Sequence, residues 1–91
     1  MEGLYLFHIE PRYAHAGHYL GFALDIRRRT DEHRKGTMKG SPLIRAALNA
    51  GCRIRLVRTW PGGTRTEERR LKNQGGLSRH CPVCRATGTY H

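Results

Sequence analysis

Residues 3 to 9, Gly-Leu-Tyr-Leu-Phe-His-Ile, are rich in aromatic and branched apolar residues, and Glu10-Pro11 ends the run. Such a stretch reads as a β-strand, because these side chains fit a pleated, half-buried surface. His18-Tyr-Leu-Gly-Phe gives a second short strand. The two are close enough in sequence to pair antiparallel as a long-looped hairpin, with Pro11 to Gly17 as the loop and Gly21 at the exit. The chain therefore opens with an antiparallel pair, and the rest must supply layers to cover it.

From about Leu24 the pattern turns helical, with Ile26, Thr30 and His33 or Arg34 at three- to four-residue spacing and arginines on the other faces, as far as Gly36. Gly36 to Gly40 reads as a linker. Ser41 as N-cap and Pro42 at the first helical position then start a helix through Ala50, stopped by Gly51, with Leu43, Ile44, Ala47 and Leu48 as its buried side. Cys52 to Trp60 alternates as a third strand, placing Cys52, Ile54, Leu56 and Trp60 on one face and Arg53, Arg55, Val57 and Thr59 on the other. After the turn Pro61-Gly-Gly-Thr, Thr66 is the expected cap of a helix carrying Glu67 and Glu68 near its positive end, and Gly75-Gly76 ends it. The order β-β-α-α-β-α predicts an α+β fold: a small three-stranded antiparallel sheet flanked by helices. Residues 1–76 form the expected domain. The segment 77–91 is a Cys/His-containing tail, too short and polar to fold alone, which either docks on the domain or is held by a metal.

Ninety-one residues suffice for one domain with a small core. The chain carries 17 Lys+Arg against 7 Asp+Glu, a net charge of +10, and an excess of that size repels itself unless a polyanion shares the surface. Nucleic acid, DNA foremost, is the expected partner. Charge alone does not separate a nuclease from a binding protein, since phosphate attraction supplies affinity whatever follows. The start, Met1-Glu-Gly-Leu-Tyr-Leu-Phe, lacks a basic n-region, and no stretch approaches the roughly 18 apolar residues of a membrane span, so a cytoplasmic protein is expected. An odd count of three cysteines, two at CxxC spacing, argues for thiols or metal binding over a disulfide framework.

The acids are few: Glu2, Glu10, Asp25, Asp31, Glu32, Glu67 and Glu68. One well-placed carboxylate in a basic cleft suffices for Mg²⁺, which keeps most of its waters. Gly3-Leu4-Tyr5, followed after a loop by Tyr19-Leu20-Gly21, resembles the two tripeptides that name the GIY-YIG nucleases. Asp25 to His33 is similar to the helix that follows in that family, with Arg29 at the position of its catalytic arginine. Glu68-Arg-Arg-Leu-Lys resembles the segment of its metal-binding glutamate. These matches run in order from residue 3 to about residue 73. Leu4 and Leu20 stand where the family has isoleucine, a volume-conserving change. The loop between the tyrosines is slightly long, and the CxxC tail lies outside the pattern.

The resemblance implies Mg²⁺- or Mn²⁺-dependent endonucleolytic hydrolysis of phosphodiester bonds. Tyr5 would activate or position the water, its acidity raised by nearby cations. Tyr19 would orient water or phosphate, Arg29 would bind the non-bridging oxygens, and Glu68 would hold the metal. His33, at the end of the same helix as Arg29, would assist by proton transfer or phosphate contact. Arg27, Arg28, Arg34, Lys35, Lys39 and Arg45, with Arg69, Arg70 and Lys72, are expected to track a nucleic-acid backbone without reading sequence, leaving specificity to a separate protein partner. His80-Cys81-Pro-Val-Cys84 leaves two readings open: free thiols that pack the tail onto the domain, or half of a structural Zn²⁺ site completed from His80, His91 and Cys52. His8, His15 and His18 are expected as solvated residues of the hairpin rim. A noncatalytic nucleic-acid-binding module on the same scaffold, and a zinc-ribbon-like adaptor, are the competing functions.

Overall fold

A computed structural model describes residues 1–13, 16–35 and 41–87. The elements follow the expected order: strands β1 (Gly3–Tyr13) and β2 (Ala16–Ala23), helices α1 (Ile26–Arg34) and α2 (Pro42–Asn49), strand β3 (Arg53–Pro61), helix α3 (Arg65–Gln74), a 3-10 turn (Leu77–His80) and a short helix α4 (Pro82–Thr87). The sheet is antiparallel throughout, in the order β2-β1-β3. The apolar first strand lies in the middle, where both its faces are covered. The α+β class expected from the sequence is the class observed.

Alternation along β1 divides the molecule into two layers of packing. Tyr5, Phe7 and Ile9 point to one side and pack with Ala23, Ile26, Ile44, Ala47 and Cys52, so α1 and α2 cover this face. Leu4 and Leu6 point to the other and pack with Leu20, Cys81 and Cys84, against Leu71 of α3, Leu77 and Val83. At roughly 25 cal/mol per Å² of apolar surface removed from water, this two-sided burial of one strand supplies much of what a domain this small has to hold it together.

Four details depart from the sequence reading. The expected loop at 11–17 is much shorter, because β1 continues through Tyr13 and β2 starts at Ala16. A register irregularity between His8 and Tyr13 absorbs the residues that looked like loop, and Pro11 sits within it. Trp60 is on the face opposite Leu56: Phe7 pairs with Leu56 but Leu6 pairs with Arg58, so Val57 is an extra residue, and one inserted residue reverses every side chain beyond it. Trp60 and Val57 accordingly join the Leu4–Leu6 layer. The cap of α3 is Thr64, whose hydroxyl accepts from the Glu67 N–H at 3.2 Å, and not Thr66, which lies inside the helix. The first helix begins at Ile26 after Asp25, whose carboxylate accepts from Arg28 N–H. The described part of the 77–91 tail is docked on the sheet, with Cys81 and Cys84 fully buried in its second layer.

Candidate functional site

The Tyr5 ring lies across Gly21, its cross-strand partner, so closely that a Cβ at Gly21 would run into the ring and its hydroxyl. The glycine is thus required by the tyrosine. Tyr19, two residues earlier on β2, shares the same face, with ring centroids 6.2 Å apart. His33 from the last turn of α1 sits between them, at 5.6 Å from Tyr5 and 5.4 Å from Tyr19. Arg29, one turn earlier on α1, hydrogen-bonds Tyr5.

Hydrogen-bond directions in this cluster can be derived in order. The Ser41 backbone N–H donates to His33 Nδ1 at 3.0 Å, so in the neutral ring the proton is on Nε2. Nε2–H therefore donates to the Tyr5 hydroxyl oxygen at 2.8 Å. His33 is neutral near pH 7, because burial, with Arg29 adding to it, lowers its affinity for a second proton. Tyr5 receives from His33 and Arg29 and directs its own proton toward Tyr19. Burial, helped by the neighbouring Tyr19, lifts the Tyr5 phenol well above its ordinary range, and the Arg29 guanidinium only partly offsets this. The expectation that nearby cations would acidify Tyr5 is therefore reversed. His33 departs from expectation as well: it is 1% exposed with both ring nitrogens engaged, so it orients Tyr5 and has no face left for phosphate.

Arg29 opens onto a hollow of about 290 Å³ along the β2 edge, lined by Phe22, Asp25, Arg28, Glu32 and Arg65. Glu32, which sequence reasoning passed over, holds Arg29 at 3.3 Å and Arg28 at 3.5 Å. Desolvation works against the charge on Arg29, and its bonds to Tyr5 and Glu32 more than offset it. Arg65 reaches the hollow from α3, its guanidinium 4.6 Å from the Phe22 ring centroid. Glu68 stands one turn beyond Arg65 on the same helix, half-buried, in an ion pair with Lys72 at 3.4 Å. Four of the five catalytic candidates thus converge. Glu68 is on the helix that borders the hollow and makes no hydrogen bond to either phenol among the described residues.

Of the expected backbone-tracking cations, Arg27, Arg28, Lys35, Arg69, Arg70 and Lys72 are exposed and Arg45 is half-buried. Lys39 and the side chain of Arg34 lie outside the described residues, as do His15 and His91.

A second constellation lies on the opposite face of the sheet. His8 and His18 are cross-strand partners on β1 and β2, and they meet Cys81 and Cys84 from the docked tail. One donor atom from each residue falls within 4.8 Å of all the others, an arrangement able to hold a metal ion. Burial, with a hydrogen bond donated to Cys81, pushes the Cys84 thiol up to about 11. The ligands expected from the sequence are corrected here: Cys52 packs on the far face, in the Tyr5 layer, and the His80 ring lies edge-on against Trp60 at 6.0 Å. His8 and His18 replace them. They are not solvated rim residues, since the longer strands carry them into the sheet. The hairpin register holds the signal: the pairing that sets Tyr5 opposite Gly21 also sets His8 opposite His18.

No helix is long and apolar enough to cross a membrane among the described residues. Comparison with protein-family models, with curated proteins and with solved structures gives no match for this chain.

Proposed function

We propose that this chain is a metal-dependent endonuclease of the GIY-YIG type that hydrolyses phosphodiester bonds in DNA. The observation that carries the reading is the convergence of Tyr5, Tyr19 and Arg29 from three separate elements, with Arg29 lining a hollow open to solvent. Attack on a phosphodiester needs an oriented water and fixed positive charge at the phosphoryl oxygens. Arg29, half-exposed and braced by Glu32, supplies a planar guanidinium for the non-bridging oxygens. Tyr5 keeps its proton at neutral pH and is buried with its hydroxyl engaged by His33, Arg29 and Tyr19, so it does not act as a phenolate base; it holds Arg29 and Tyr19 in position for water and phosphate. Its direction is set by His33, a positioning residue. Tyr19, partly exposed where Tyr5 is buried, is the phenol that water or phosphate can reach.

Glu68 fits an ion that needs few protein ligands: a single half-buried carboxylate satisfies Mg²⁺ or Mn²⁺ that keeps most of its water shell. When bound, such an ion stabilises charge on the leaving oxygen. Thiolate and imidazole donors at the second site favour Zn²⁺ instead. The exposed arginines and lysines would give salt-dependent, largely nonspecific affinity for the backbone, with a protein partner supplying selectivity. The three free cysteines support a reducing, cytoplasmic setting.

The rival, a nucleic-acid-binding module without catalysis, draws on one observation: the Glu68 carboxylate is engaged by Lys72 and not by the phenols. Incubating the protein with single-stranded, duplex and branched DNA, with and without Mg²⁺, separates the two. The nuclease cleaves only with metal and Glu68→Ala abolishes cleavage while binding persists; binding without cleavage under every condition establishes the module.

A further inference from the structure

The face of the sheet away from the tyrosines carries a set of contacts that ordinary packing does not explain. His8 Nδ1 lies 3.3 Å from His18 Nε2, 3.4 Å from Cys81 Sγ and 3.7 Å from Cys84 Sγ, and Cys84 Sγ is 3.4 Å from His18 Nε2. One ring nitrogen has a single lone pair or a single proton, so it cannot satisfy three such neighbours by hydrogen bonding. A common central cation can. With Zn–N near 2.05 Å and Zn–S near 2.3 Å, a tetrahedron has N···N edges of about 3.3 Å and N···S edges of about 3.6 Å. The observed spacings match those edges.

We infer that His8, His18, Cys81 and Cys84 form a closed, structural zinc site that staples the segment 77–87 to the underside of the β1–β2 hairpin. The donor set is two imidazoles and two thiolates, the composition that selects zinc among common cations. Four protein ligands leave no position for water or substrate, and Cys81 and Cys84 are fully buried with His8 5% exposed. The site is therefore structural and not catalytic. A second, independent observation supports it: His8 Nε2 donates to the Glu10 carboxylate at 2.8 Å, the outer partner that fixes a ligating histidine with Nδ1 toward the metal. Arg55, at 3.9 Å from the same carboxylate, holds Glu10 in place.

The staple gives the short tail a reason to fold. The turn and α4 contribute few apolar side chains, chiefly Leu77 and Val83, and a metal that ties them to two adjacent strands replaces the core they lack. It also fixes the strands at His8 and His18, one residue away from Phe7 and Tyr19 on the opposite face. The inference stands apart from the nuclease reading, since its evidence lies on the other side of the sheet.

The test is metal content of the intact chain, purified under reducing conditions and supplied with Zn²⁺, then dialysed. One zinc per chain is expected. Co²⁺ exchanged into the same chain should give the intense visible absorption of a tetrahedral ion together with a thiolate-to-metal charge-transfer band. Cys84→Ser and His18→Ala should lose the ion, whereas Cys52→Ser and His80→Ala should retain it fully. Wild-type protein without stoichiometric zinc overturns the inference even if every variant misfolds, as does an octahedral Co²⁺ spectrum. Loss of zinc in Cys52→Ser equal to that in Cys84→Ser would overturn the ligand assignment.

Discussion

The two faces of β1 use the same device, alternation along one strand, for opposite ends. On one face the buried Tyr5 hydroxyl holds Arg29, which together with Arg65 lines a hollow open to solvent. On the other His8 brings a nitrogen into a pocket sealed by Cys81 and Cys84. On the first face Tyr5 and His33 are buried and bonded, and Arg29 is the member of the cluster that faces the hollow, as a site that must admit a ligand requires. The polar atoms of the second converge inward, with His8, Cys81 and Cys84 buried and His18 partly so, as the proposed zinc site requires. The faces meet around the β2 edge, where α1 from one side and α3 from the other border the same hollow. At this edge Arg65, on a helix whose Leu71 belongs to the lower layer, reaches a hollow bordered by α1 of the upper one.

Removing the charges of the open face is expected to have the largest effect. Glu68→Ala should reduce Mg²⁺-dependent cleavage by about 10³-fold or more, and Arg29→Ala by about 10²–10³-fold, in single-turnover assays on labelled DNA. Neither should change zinc content, because neither residue touches the sealed face. Zinc loss in Glu68→Ala would show that the faces are coupled and break the comparison. Next comes the sealed face itself: Cys84→Ser, or chelation of the wild type, should lower the melting temperature by more than about 10 °C, since each kcal/mol moves a domain of this size by about 4–8 °C. Below that temperature cleavage should persist in part, as the open face keeps all its own groups. Smaller again is Gly21→Ala, which forces a methyl against the Tyr5 ring and should cost about 1–3 kcal/mol in denaturant unfolding. Its effect on cleavage should exceed that of a similarly destabilising substitution in the lower layer, such as Leu20→Ala, because only the former displaces Tyr5.

How far each face was legible follows from the kind of information it needs. The order of strands and helices was readable because Gly51, Gly75 and Pro42 mark boundaries by local chemistry. Tyr5, Tyr19 and Arg29 were readable because their spacing repeats a known pattern, and all three meet in space. Trp60 was misplaced because the extra residue at Val57 belongs to the pairing of two strands and leaves no mark on either alone. Thr64 has a glutamate, Glu67, three residues on, the spacing of a capping box, whereas Thr66 has Arg69 there, so the signal for Thr64 lay in the sequence. Glu32 was hidden among charged residues of a helix face, and only packing reveals that it braces two arginines. The proposed zinc ligands were missed for a different reason: 11–17 reads as a loop, which sets His8 and His18 beside its rim and hides the register that places them opposite one another.

The smallest expected effect tests the hydrogen-bond order beneath Tyr5. Folding depresses the proton affinity of His33 below that of the unfolded chain, near 6.5, mainly by burial. Above that pH the ring is neutral in both states and its contribution to stability is fully present. As the pH falls through about 6.5 the unfolded chain takes up a proton that the folded one refuses, so stability declines until the folded-state value is passed. His33→Gln keeps a donor and an acceptor but cannot titrate, so its melting temperature should fall less than that of the wild type over this acid window. His8 and His18 are common to both proteins, and the difference between the two curves isolates His33. Parallel curves would mean that His33 is protonated equally in both states, and that the proton on Nε2 is not what orients the Tyr5 hydroxyl.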